Sequence, residues 1–192
     1  TAKRLPVEPP VIELDVTNQD HLDALAANVK EHFPKLDGVL HSVAFAPKSA
    51  LEGNYLDSVT RENFRIAHDV SAYSFAALAK GGRALMEGRQ GALLTLSYLG
   101  AERAMPNYNV MGVAKAALES SVGYLAHEFG QSKIRVNGLS AGPIKTLSGS
   151  AVKDFDKMLE MYDALSPLRR NVSLEEVGKS AVYLLSDMST GV

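Results

Sequence analysis

Four short apolar runs, each leading into a longer segment, constrain this chain more than any other feature. The runs are "VIELDV" (11–16), "LDGVLHSVAF" (36–45), "GALLTLSYLG" (91–100) and "IRVNGLSAGPI" (134–144). Each reads as a strand by length and by its Val, Ile and Leu content. Between them lie helical patterns. In residues 17–33, Leu22, Leu25, Ala26 and Val29 recur at helical spacing behind Thr17 or Asn18 as N-cap. Residues 58–86 form a long helical stretch with Thr60 as N-cap, and residues 108–130 a second, with Gly130 as C-cap. Ser173 caps a last helix over 173–187, whose first turn is acidic.

Strand–helix alternation predicts an α/β fold, a doubly wound parallel sheet of the Rossmann type, because crossovers between parallel strands place helices on both faces. Such sheets bind ligands beyond the carboxyl ends of their strands. The positions to inspect are therefore Asp15, Ser42–Phe45, Ser97–Tyr98 and Ala141–Ile144.

Composition narrows the function classes. A net charge of −2 and no run of Lys or Arg give no nucleic-acid or membrane-surface signal. No cysteine means no disulfide or thiolate chemistry, and a cytoplasmic setting fits. No apolar run approaches the roughly 18–20 residues of a membrane span. His21, His32, His68 and His127 fall in helical segments without metal-ligand spacing, so no metal site is expected, and no G-x-S-x-G elbow occurs. His41 reads as a satisfied core histidine before a catalyst. The chain opens on Thr1 and stops at "DMSTGV" without a polar tail. Both ends are expected to be cut from a longer protein.

"PNYNVMGVAKAALES" (106–120) places Tyr108 and Lys115 seven residues apart, on one helix face and about 10.5 Å apart along its axis. A phenol is a poor acid at neutral pH unless a nearby cation stabilises its anion. An ordinary surface helix also carries such pairs. Tyr98, ten positions earlier at a strand end, is either poised over the crevice or a rim aromatic covering the core. In "SAGPIKTL" (140–147), Gly142–Pro143 ends the strand, and Thr146 with the following N–H groups can hold an amide or a phosphate, or form an ordinary turn. Ser42 and Ala44 are small enough to admit a flat ligand. Asp15 is placed either to accept from an adenine amine or to serve as a helix N-terminal acid.

Together, "LDGVLHSVAFAP", "IAHDVSAYSF", "LTLSYLGAERAMPNYNVMGVAKAALE" and "SAGPIKTL" resemble the enoyl-acyl-carrier-protein reductases of bacterial type II fatty-acid synthesis, members of the short-chain dehydrogenase/reductase superfamily. Six residues separate Tyr108 from Lys115, the family's spacing, whereas the wider superfamily has three. Met111 stands where a ketoreductase would place its tyrosine. The alternatives are such a ketoreductase and, from another class, a non-catalytic nucleotide-binding regulator.

The resemblance implies reduction of the trans-2 double bond of an enoyl thioester by NADH, or by NADPH, with acyl carrier protein as partner and a homotetramer as assembly. It makes Tyr98, Tyr108 and Lys115 catalytic. It gives Asp15, Val16, Ser42, Val43, Ala44, Lys115, Ile144, Lys145, Thr146, Leu147 and Ser148 to the cofactor. It gives Ala46, Tyr98, Tyr108 and Met111 to the substrate. Residues 147–165 match a mobile segment covering the acyl chain, with Ala151, Phe155, Met158 and Met161 as apolar lining. Ala114, Ala117, Ser120 and Ser121 would let subunit helices approach. Ala44 replaces a usual Gly and Lys145 a common Arg, the latter losing the guanidinium fork. The family's Gly-rich phosphate turn and last strand have no counterpart here, so residues 1–192 are expected to form one incomplete nucleotide-binding reductase domain.

Overall fold

The computed structural model describes residues 5–146 and 149–192. Its centre is a parallel sheet of three strands, β1 (Gly38–His41), β2 (Ala92–Ser97) and β3 (Arg135–Ser140), in that spatial order. Gly38 pairs with Ala92 and His41 with Thr95, while Ala92 pairs with Arg135 and Ser97 with Ser140. This register brings the carboxyl ends of all three strands to one edge. β2 is the middle strand and is buried along almost its whole length, as a parallel strand covered on both faces should be.

One of the four expected strands does not form. Residues 11–15 pair with no described strand, and Val11 is 78% exposed. A lone extended segment has no ladder to join, and the Asp15 carbonyl instead accepts from Asn18 N–H at 3.1 Å, turning the chain into the first helix. That helix, α1 (Gln19–Lys30), is capped by Asn18, whose side chain accepts from the N–H groups of Asp20 and His21.

The long helical stretch also breaks up. After a short α2 (Tyr55–Ser58), α3 (Arg61–His68) starts at Thr60, whose hydroxyl accepts from Asn63 N–H. A π-helical turn over Asp69–Tyr73 then shifts the phase before α4 (Ser74–Met86). The second long helix, α5 (Asn109–Gly130), does not use Gly130 as its cap: Gln131 takes that place, and Lys133 is the residue with positive φ. α6 (Phe155–Leu165) was not legible as a helix in the sequence. α7 (Leu174–Leu185) carries a full capping box between Ser173 and Glu176. Its last carbonyls are held by Arg135 of β3, which donates to the Leu184 and Ser186 oxygens at 2.8 Å.

α4 and α5 cover one face of the sheet and α7 the other. The core between sheet and helices is built of Phe75, Met86, Leu93, Leu118, Phe129 and Val136. A second cluster, including Ala46, Leu51, Val110, Met111 and Ala114, lies under the loop after β1. Ala114 is thus committed to the chain's own core and not to a neighbouring subunit; Ser120 is exposed. No described helix is long and apolar enough to cross a membrane.

His41 ends β1 fully buried, with Nδ1 2.7 Å from Thr95 Oγ1 and Nε2 2.8 Å from Ser74 Oγ. Both neighbours are neutral hydroxyls. Burial, with Lys115 adding repulsion, lowers its pKa from 6.5 to about 4. The unfolded chain therefore takes up the proton first as pH falls. The stability tied to the neutral ring is present above about pH 6.5 and is lost as pH drops toward 4. In urea titrations at neutral pH and at about pH 4.5, the wild type should lose roughly 2.5 kcal/mol more than His41→Gln. Equal losses in both would overturn this assignment.

Candidate active site

A cavity of about 560 Å³ opens where the three strands end. Its floor is the strand-end residues Ser42–Ala46, Leu96–Tyr98 and Ala141–Gly142. Its walls are Tyr108, Met111 and Lys115 from the start of α5, Ile144 and Thr146 from the loop after β3, and Met158 from α6. Leu174 and Val177 close it from α7. The lining is mostly apolar with a few polar groups, the usual make-up of a small-molecule site.

Tyr108 is the N-cap residue of α5 and stands between two asparagines with positive φ, Asn107 at 62° and Asn109 at 41°. Asn tolerates the left-handed region better than other residues with a side chain. Each asparagine is also tied down. Asn107 Nδ2 donates to the Lys153 carbonyl and Asn109 Nδ2 to the Gly53 carbonyl, both at 3.2 Å. The two left-handed residues turn the chain sharply on either side of Tyr108. "PNYN" carried that signal, and spacing arguments alone passed over it.

Glycine sets where the ring lies. A Cβ on Gly100 would sit 2.4 Å from Tyr108 Cδ1, and one on Gly112 would sit 2.7 Å from the Gly100 carbonyl oxygen. The loop after β2 and the first turn of α5 therefore touch at distances only glycine permits. Tyr98, on that loop, meets Tyr108 edge to face with ring centroids 4.9 Å apart. Its hydroxyl lies 3.2 Å from both Met158 Sδ and the Tyr162 hydroxyl of α6.

Lys115 is 6% exposed, and its ammonium donates to the Leu96 carbonyl at 2.6 Å. Burial lowers its pKa from 10.5 to about 8, opposed in part by Glu119. Glu119 itself accepts from the Ser97 hydroxyl. Burial raises the Tyr108 phenol, and it raises Tyr98 too, with Tyr162 adding to the effect. Both phenols thus stay protonated at neutral pH and are able to donate a hydrogen bond. Phe45, in the floor, is fixed by Ser71 of the π-helical turn: the Ser71 hydroxyl accepts from Phe45 N–H at 3.0 Å and donates to its carbonyl at 3.1 Å.

The structure brings together ten of the residues singled out in the sequence: Ser42, Val43, Ala44, Ala46, Tyr98, Tyr108, Met111, Lys115, Ile144 and Thr146. Asp15 and Val16 lie outside the cavity. The Asp15 carboxylate accepts from Thr17 N–H at 2.9 Å and from Thr17 Oγ1 at 2.7 Å, and Val16 is buried. Lys145 turns away toward Asp156, 3.5 Å distant, and lines a neighbouring cavity. Leu147 and Ser148 lie outside the described residues. Asn107, Asn109, Leu51, Val152 and Tyr162 also shape the site and were not singled out. Among the described residues, no group of three or more His, Asp or Glu can hold a metal.

A parallel sheet with a mostly apolar crevice at its carboxyl edge, lined by two protonated phenols and a buried lysine, defines an α/β oxidoreductase-type site. The family profile described as enoyl-(acyl carrier protein) reductase matches residues 1–192. The enoyl-acyl-carrier-protein reductase (NADH) FabI of Neisseria meningitidis is 53% identical over 182 residues, 95% of this chain and 70% of that protein. The Escherichia coli enzyme of the same name is 52% identical, over 95% of this chain and 69% of its own length. The crystal structure of the Bacillus cereus enoyl-acyl carrier protein reductase, solved with NADP+ and indole naphthyridinone, superposes with a TM-score of 0.94. It is 46% identical and covers all of this chain and 74% of that one. The chain belongs to the enoyl-acyl-carrier-protein reductase family.

Gly100→Ala should destabilise the fold by about 2 kcal/mol, because the methyl must displace the Tyr108 ring. Gly178→Ala, in an exposed turn of α7 with open space at its Cβ, should instead gain about 0.5–1 kcal/mol. Urea denaturation of both variants checks the pair. A neutral Gly100→Ala would show that the ring is not seated as described.

Proposed function

We infer that this site carries out the reaction for which its family is named: reduction of the trans-2 double bond of an enoyl thioester carried by acyl carrier protein, in fatty-acid synthesis. The observation that carries the reading is the convergence of Tyr98, Tyr108 and Lys115 on one cavity at the strand ends. The reduced nicotinamide cofactor supplies the hydride when bound. Relatives named for NADH favour that form, and the neighbour solved with NADP+ keeps NADPH open.

The residues present suit such a cofactor. One of the three N–H groups of Lys115 is taken by Leu96, and ribose hydroxyls are suitable acceptors for the others. Ser42, Val43, Ala44, Ile144 and Thr146 would line its path, with Asp15 and Val16 on the adenine side. Lys145, Leu147 and Ser148 would belong to the loop above it. Tyr108 donates its hydrogen bond to the thioester carbonyl and so stabilises the negative charge that develops there as the β-carbon is reduced. Its raised pKa suits a donor that keeps its proton. Tyr98 supports the same carbonyl end, and Ala46 and Met111 bound the acyl side. Met111 occupies the position a ketoreductase gives to its tyrosine, and here it is buried in the cavity wall.

Residues 147–165 are proposed as the movable cover of the acyl chain. Met158 lines the cavity, Phe155 is buried and lines the neighbouring one, and Met161 is exposed to solvent; the side chains of residues 147, 148 and 151 lie outside the described residues. A homotetramer and a cytoplasmic setting complete the reading. The assembly is supported by apolar and small residues on the outer face of α5, among them Val113, Ala116 and Tyr124, the last 79% exposed. Light scattering on residues 1–192 should give four times their 20.6 kDa mass, and a stable monomer would remove this part of the proposal.

Oxidation of NADH or NADPH with a crotonyl thioester tests the chemistry. Tyr108→Phe should lower kcat roughly a hundredfold, the effect of removing one oxyanion donor. Turnover of a ketone with no oxidation by any enoyl chain would sink the reading. In the same assay, Lys115 loses its charge as pH rises through about 8. The kcat/KM for the cofactor should then fall about tenfold per pH unit above that point, while Lys115→Arg shifts the fall beyond the alkaline range. A flat profile in the wild type would separate Lys115 from cofactor binding.

A further inference from the structure

A smaller cavity of about 280 Å³ adjoins the main one. Gly142 lines both, so the two are neighbours. Tyr98 faces the larger and Tyr162 the smaller, and their hydroxyls stand 3.2 Å apart. The two phenols therefore form part of the partition. Tyr162 shares one face of α6 with Met158, four residues before it, and Met158 lines the main cavity, so the helix presents the partition and the cavity wall together. The surface the smaller cavity exposes is mostly apolar, with Pro143, Leu168 and Val172 in its lining, and its two charged residues, Arg170 and Glu176, are paired with each other at 2.5 Å. The apolar part suits a hydrocarbon tail.

The hydroxyl pair is a weak lock. A single neutral hydrogen bond contributes about fivefold to an equilibrium, and two phenols can each find another partner. Each methylene that gains an apolar surround is worth about fourfold in binding. A few methylenes beyond the length that fills the first cavity are thus enough to displace the pair. Shorter chains lack those methylenes.

We propose that Tyr162 is a specificity-determining residue: paired with Tyr98, it closes the main cavity against the smaller one, and its displacement admits the tail of a long enoyl chain. This rests on the enoyl-thioester reading above. It predicts a dependence on chain length that the reading alone does not.

The experiment compares kcat/KM for dodecenoyl and crotonyl thioesters, reported as their ratio so that any common effect on turnover cancels. Tyr162→Ala joins the two cavities and should raise the ratio at least tenfold. Tyr162→Phe keeps the ring, removes the hydroxyl and should raise it about three- to fivefold. Tyr162→Trp fills the smaller cavity and should lower the ratio. Should the alanine variant fail to fold by circular dichroism, the phenylalanine and tryptophan variants carry the test. Unchanged ratios in folded variants that still reduce crotonyl thioester overturn the assignment of Tyr162. Failure of the wild type on every enoyl chain overturns the functional reading instead.

Discussion

The contact between Gly100 and Gly112 holds the site in register. It joins the loop that leaves β2 to the first turn of α5 at a distance no Cβ would allow. Tyr98 and Tyr108 inherit their edge-to-face geometry from it, because one precedes Gly100 by two residues and the other lies across it. Lys115 follows on the same helix, one turn beyond Gly112, and its bond to the Leu96 carbonyl ties α5 back to β2. Three side chains of unlike chemistry are thus positioned by one backbone approach. The positive φ angles of Asn107 and Asn109 are the conformational cost of bringing Tyr108 into this turn.

Burial is the leading cause of the shifts of the four titratable groups that line or underlie the main cavity, Tyr98, Tyr108, Lys115 and His41. It raises both phenols, lowers Lys115 to about 8 and lowers His41 to about 4. The outcome is a nearly neutral lining with one weakly held positive charge. Such a lining discourages proton transfer from tyrosine and favours donation of a hydrogen bond. It also explains why Tyr108 and Lys115 need not touch. Burial raises the Tyr108 phenol, and the ammonium on the same helix face does not make it acidic.

Much of this was legible in the sequence because it is local. Asn18, Thr60 and Ser173 cap helices as their residue types predict, and β1, β2 and β3 fall inside the apolar runs that announced them. Strand ends pointed to most of the cavity floor. What stayed hidden depends on contacts distant in sequence. "VIELDV" has strand composition, but a strand exists only where a partner lies beside it. The π-helical turn at Asp69–Tyr73 looks like ordinary helix until Ser71 is seen gripping Phe45, 26 residues away. Tyr162 reaches Tyr98 across 64 residues, beyond any spacing rule.

The two sides of the cavity are built differently, and that difference bears on how such a site can vary. The chemical side rests on strand ends and on α5, which packs into the core and meets the loop after β2 at distances only glycine permits. The acyl side rests on α6, which begins at Asp154 with a φ of 58° and is attached through a few side-chain bonds, such as Asn107 to the Lys153 carbonyl and Tyr162 to Tyr98. Gly149 lets the chain pass close to Phe155, where a Cβ would lie 2.8 Å from the ring. On the proposed reading, substitutions on α6 reshape the space for the acyl chain while Tyr98, Tyr108 and Lys115 keep their positions. Selection among chain lengths could then change on this helix without altering those three groups.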